Sequence, residues 1–181
     1  FESGNTDNFY DFSFSPTDIN MSIIMPYYEL DNPLSVYNVQ FSGDLTEPFP
    51  IGSSIGVFYR DYNNNLLCGG SSVWAEFTNS LVAFQDDEFT EYTKDGFQNG
   101  ESLFWVLVTP EGLLYEFTRV QTEGNEPNVF FGNSVLRIVE LETRFIQQVA
   151  VVGCMDSLYL QYNPYANVYE DFIINASLVD S

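Results

Sequence analysis

Gly52-Ser53-Ser54-Ile55-Gly56 has the G-x-S-x-G spacing that exposes a serine nucleophile where a strand turns sharply into a helix. Here the motif enters a strand instead, because Ile55, Val57 and Tyr59 alternate directly after it. A serine nucleophile also needs a base, and the chain contains no histidine. That removes Ser-His and Cys-His mechanisms. A Ser-Lys pair would have to use Lys94, the single lysine. The two serines read most simply as turn punctuation, and catalytic residues are expected to be absent.

Metal chemistry divides by ligand type. Two cysteines far apart and no imidazole cannot assemble the usual zinc sets, whereas calcium needs only carboxylates and amide oxygens. Three stretches supply these: Asp61-Tyr62-Asn63-Asn64-Asn65, Asp86-Asp87-Glu88, and Asn163 through Asp171. None has EF-hand spacing, and the first two also read as a hairpin turn and a solvated charge cluster. Paired carboxylates could hydrolyse glycosides, but in so acidic a chain some pair always meets the distance requirement, which singles out no residue. Exposed Tyr27, Tyr28, Tyr159, Tyr162 and Tyr165 could stack on sugar rings, as in a carbohydrate-binding module.

The charge balance is lopsided: 26 acidic residues face five basic ones, a formal net charge of −21. Such a field repels phosphate backbones and anionic lipids, so neither nucleic acid nor direct membrane insertion is expected. It also keeps a secreted or salt-exposed protein soluble. No run approaches the roughly 18 apolar residues of a membrane-spanning helix. A chain beginning at Phe1 rather than Met suggests a processed protein or a piece of a longer one. Cys68 and Cys154 permit one disulfide, stabilising by roughly 4 to 5 kcal/mol through loop closure; two buried free thiols fit equally well.

The elements that must position these groups read as strands. Phe and Tyr dominate, and long Ala/Leu/Glu/Lys runs are absent. Alternation predicts strands at Phe9–Ser15, Ile19–Met25, Leu34–Ser42, Ser54–Arg60, Leu66–Trp74, Ser80–Gln85, Ser102–Thr109 and Leu113–Gln121. Two more follow around Val135–Leu141 and Phe145–Val152, with a short helix over Glu140–Gln148 as the competing reading. An Asn-rich turn at Asp61–Asn65 closes a hairpin. Gly69-Gly70 marks a bulge or a close backbone approach, expected beside Trp74. The apolar run Phe104–Val108 predicts a central strand buried on both faces. Short strands separated by frequent turns indicate an all-β, antiparallel β-sandwich, a single domain over 1-152 with a C-terminal segment 153-181 packed on it.

Two stretches carry a family resemblance. Ile55-Gly56-Val57-Phe58-Tyr59, Asp61, Leu67-Cys68-Gly69-Gly70, Val73-Trp74, Asp86-Asp87, Lys94-Asp95-Gly96-Phe97 and Gly100-Glu101 together resemble a module recurring in secreted and cell-surface proteins of Bacteroidota. Gly153-Cys154-Met155-Asp156-Ser157-Leu158 with Tyr162-Asn163-Pro164-Tyr165-Ala166-Asn167 is similar to a GC-x-D…YNP-x-AN motif of the same kind of protein. Where that motif continues Asp-Asp-Gly-Ser-Cys, this chain has Tyr169-Glu170-Asp171-Phe172-Ile173, so the motif's second cysteine is missing. The resemblance implies a calcium-stabilised turn at Asp156, Asn163, Asn167 and Asp171, and for Cys154 a pairing with Cys68 or a free thiol.

It further implies an exported, non-catalytic surface module, in proteins associated with type IX secretion, adhesion and gliding. The expected function is thus a structural or adhesive extracellular module, with identical subunits or neighbouring modules as partners and self-assembly into a filament as one form. The alternative is a carbohydrate-binding module with glycans as partners.

Overall fold

Alternation of apolar and polar residues builds the first strand among the described residues. In β1 (Asn20–Met25), Met21, Ile23 and Met25 are buried and the residues between them are only half-buried, the period-2 signature of a strand with one face on a core. The computed structural model describes residues 10–25, 40–44, 49–75, 79–87, 89–90, 92–148, 152–153, 164–166 and 168–169. Among them the further strands are β2 (Gln40–Gly43), β3 (Ser54–Arg60), β4 (Leu66–Val73), β5 (Asn79–Phe84), β6 (Phe104–Val108), β7 (Leu113–Thr122), β8 (Val135–Gln148), β9 (Val152–Gly153) and β10 (Val168–Tyr169). A 3-10 turn, Glu123–Asn125, leads toward β8.

The all-β expectation holds. One eight-stranded sheet runs in the order β4-β3-β6-β7-β8-β1-β5, with β2 also paired to β8. The sheet curls so far that its two end strands, β4 and β5, pack on each other and nearly close a barrel. Hairpins β3/β4 and β6/β7 and the β3/β6, β7/β8 and β1/β5 pairs are antiparallel. The two pairs β1/β8 and β2/β8 are parallel. β8 offers one edge to β7 and the other to these two strands in succession: Ile23 opposite Leu136, then Phe41 opposite Leu141.

Three sequence expectations change. The two strands expected around Val135–Leu141 and Phe145–Val152 form one continuous strand across Val135–Gln148, with no helix over Glu140–Gln148. Ladders on both sides of β8 override local propensity there, and register shifts within the β7/β8 ladder let the strand follow the curl. Residues 10–17 form no ladder; they lie as an extended strap whose aromatic residues pack on the sheet's outer face. The glycine pair in β4 does mark a bulge, since Val57 pairs with Gly70 and Phe58 with Cys68, leaving Gly69 unpaired. Its close neighbours, however, are the Phe97 and Tyr59 rings beside Gly69 and the Val82 backbone beside Gly70, in place of Trp74.

Inside the curl lies the main core, with Ile23, Met25, Ile55, Val57, Trp74, Leu81, Ala83, Trp105, Leu107, Ile138 and Leu141 all buried. The Trp105 indole N–H donates to Asn128 Oδ1 at 2.9 Å, and the Asn128 amide donates in turn to Leu103 O. As predicted, β6 is central, lying between β3 and β7. Its Val106 faces a second, outer cluster with Phe58, Cys68 and Leu114, covered by Tyr10 and Phe12 of the strap. Phe104 remains partly exposed beneath the Arg60 guanidinium, 5.0 Å from the ring centroid.

Candidate functional site

The loop between β5 and β6 is bolted down at its base and free at its tip. Phe97 N–H donates to Phe84 O and Asp86 N–H donates to Phe97 O, both at 2.9 Å, so the outgoing and returning chains lie side by side. Asp95 N–H donates to Asp86 Oδ1 and Asp87 N–H donates to Asp95 Oδ1, again at 2.9 Å. These reciprocal charge-assisted bonds engage the carboxylates of Asp86, from the stretch the sequence offered as a cation loop, and of Asp95; Glu88 lies outside the described residues. Gly96 is required by this closeness, since a Cβ on it would lie 2.5 Å from the Gln85 carbonyl carbon. Phe97 is fully buried, stacked on Phe130 at 5.4 Å and edge-on to Tyr59.

The tip is built from short-range bonds. Thr90 N–H donates to Asp87 O and Thr93 N–H to Thr90 O, and Phe89 N–H donates to Asp87 Oδ1 at 2.9 Å. In this turn Phe89 is 93% exposed and Tyr92 91% exposed. At this exposure neither ring adds buried area to the core. Below Phe89 an open groove of about 460 Å³ is lined by Thr17, Asp18, Gln85, Asp86 and Asp87. An aromatic face beside carboxylate, amide and hydroxyl groups suits a ligand with one apolar face and several hydroxyl or cationic donors.

The other predicted positions fall as follows. Ser53 is buried, and its hydroxyl donates to Pro50 O at 2.6 Å within the turn that precedes β3. Asp61 closes the β3/β4 hairpin: its carboxylate accepts from Asn63 N–H, Asn65 N–H and the Asn65 side-chain amide. The Asn65 amide bond foremost holds this carboxyl below its ordinary range, and Asn64 takes the positive φ that the turn requires. Cys68 is a free, buried thiol, pushed up to about 11 by desolvation. Tyr165 is 44% exposed. Cys154, Asp156, Asn163, Asn167 and Asp171, with Tyr27, Tyr28, Tyr159 and Tyr162, lie outside the described residues. Among the described residues no group of three or more acidic or cysteine side chains is placed to hold a metal.

Sequence reading passed over Phe89 and Tyr92, although a signal was present. Both sit among acids in a stretch with neither helical nor strand periodicity, where an aromatic side chain has no route into a core. No helix among the described residues is long and apolar enough to cross a membrane. No protein-family model, curated protein or solved structure matches the chain.

Proposed function

We propose that this chain is a non-enzymatic extracellular module of a cell surface, structural or adhesive, that binds through the loop displaying Phe89 and Tyr92 and associates with further copies of itself. The observation that carries the binding part is the hydrogen-bonded turn that exposes both rings and sets Phe89 at the groove lined by Asp18 and Gln85. The resemblance in Ile55–Tyr59, Lys94–Phe97 and Gly100-Glu101 supports the cell-surface setting. Adhesion is tested with beads coated in the protein: wild-type beads are expected to be retained on cell or matrix surfaces. Equal retention of beads coated with Phe89→Ala/Tyr92→Ala would refute the assigned surface.

A second reading, a carbohydrate-binding module, is favoured by the same pairing of exposed rings with hydroxyl-binding side chains. Affinity electrophoresis through gels of different polysaccharides tests it, with retarded migration in at least one as the expected result. Unchanged mobility in every gel would leave protein adhesion as the reading. The calcium-stabilised turn at Asp156, Asn163, Asn167 and Asp171 is carried by the motif resemblance. It predicts a melting midpoint that falls when a chelator is added.

A further inference from the structure

The outer face of the sheet carries a large apolar surface that its own strands do not cover. Phe58, Cys68, Val106 and Leu114 form it, and all are buried. Part of that cover is the strap. Tyr10 and Phe12 both meet Phe58 edge-on, at 5.3 and 5.5 Å, and Phe14 stacks on Phe84 at 5.3 Å. Gly56 is the notch that admits the middle ring: a Cβ there would lie 2.9 Å from Phe12 Cδ1. Ser71 Oγ donates to Phe12 O at 3.1 Å. Face and strap are thus a receptor and a peptide, the peptide being an extended aromatic-x-aromatic-x-aromatic segment.

That peptide is attached by its rings and by the Ser71 hydroxyl bond to the Phe12 carbonyl. No described residue of the strap belongs to a strand ladder, so it can lift without breaking the sheet. Its pivot is equally defined: Thr17 Oγ1 is held to Gln85 O at 2.9 Å, and Pro16 precedes it. A short proline-bearing hinge next to a segment held by its rings and by one Ser71 hydroxyl bond to the Phe12 carbonyl, outside every strand ladder, is the arrangement that favours exchange between copies, because every contact made within one chain can be remade between two. The apolar face must be covered in either case.

We propose that the outer face of β3, β4, β6 and β7 is a binding groove for this segment, filled in the free chain by its own Tyr10–Phe14 and in the associated protein by Tyr10–Phe14 of a second copy. This deepens the self-association within the proposed function and rests on that reading. Copies carrying the charge of −21 repel one another, so association strengthens as salt screens the repulsion.

The test uses the whole chain. Sedimentation at rising concentration in low and high salt finds the associating condition. A mixture of isotope-labelled and unlabelled chains then reports contacts between molecules by filtered nuclear Overhauser spectroscopy. Cross-peaks between chains linking Phe12 to Gly56 and Phe58 are the expected result. An associated protein in which those contacts stay within one chain overturns the exchange and leaves self-association standing. A chain that remains monomeric in every condition overturns both.

A variant supplies an independent arm. Tyr10→Ser/Phe12→Ser/Phe14→Ser is expected to lose association, to react at Cys68 with a disulfide reagent at least tenfold faster, and to bind a labelled peptide of sequence Phe-Tyr-Asp-Phe-Ser-Phe-Ser. A folded variant that ignores the peptide refutes the groove. If the variant does not fold, the wild-type spectroscopy decides alone.

Discussion

Lys94 Nζ and Glu101 Oε1 meet at 2.5 Å, with the lysine 7% and the glutamate 20% exposed. The same ammonium donates to Arg60 O at 2.6 Å and lies 5.1 Å from the Tyr59 ring centroid. The other glutamate oxygen accepts from Gln98 N–H at 3.0 Å. The ion pair therefore closes the base of the aromatic loop, and the Lys94 bond to Arg60 O ties that base to the end of β3. The one lysine that could have served a serine nucleophile is committed to this pair.

Removing either partner strands a buried charge. Lys94→Met or Glu101→Leu alone is expected to cost about 3 kcal/mol, whereas the double change recovers much of that loss, because desolvating the pair nearly offsets its attraction. Urea unfolding of the three variants measures it. A double variant as unstable as the sum of the singles would show that the pair contributes beyond its burial.

Closure of the sheet depends on Gly70. A side chain there would collide with the backbone of Val82 in β5, which cannot rotate aside, so Gly70→Ala is expected to cost about 3 kcal/mol or more. Gly69→Ala meets the Phe97 ring and should cost less, about 1 to 2 kcal/mol, since a ring can shift. Thermal melts of the two variants check the order, and a harmless Gly70→Ala would mean that β4 and β5 separate at little cost.

Alkali is expected to unfold the protein by removing protons from buried groups in both clusters. Burial raises Cys68 from an ordinary 9.0 to about 11 and raises Tyr10, Tyr59 and Tyr115 above 10.0. The unfolded chain loses these protons first, so stability is full below about pH 9 and falls as the pH rises through 11. Urea midpoints at intervals between pH 7 and 11 measure this. A Cys68→Ala variant, destabilised overall, should begin its decline about one pH unit later.

The exposed rings should be irrelevant to stability. Phe89→Ala/Tyr92→Ala is expected to change unfolding free energy by less than about 0.5 kcal/mol while abolishing adhesion or polysaccharide retention. Calorimetry and the retention assay separate the two effects. A large loss of stability would place the rings in packing that their exposure denies.

The chain's own alternation of apolar and polar residues determined most of the strands. Ser54–Arg60 was predicted to the residue, and Ile19–Met25 and Leu113–Gln121 to within one, because a strand with one face on a core needs only local pattern. The hairpin at Asp61–Asn65 was equally local, since an Asp that accepts from the following backbone and an Asn tolerant of positive φ build the turn without help. Tertiary structure decided the rest. Whether Val135–Gln148 is one strand or two depends on ladders to residues far away in the chain, among them Phe41 and Tyr115. The same holds for Gly69, whose partner is a ring 28 positions later, at Phe97. Tyr10, Phe12 and Phe14 show the division within one segment: their spacing determined that they share a side, and only the apolar face left outside the curled sheet made that segment a strap instead of a strand.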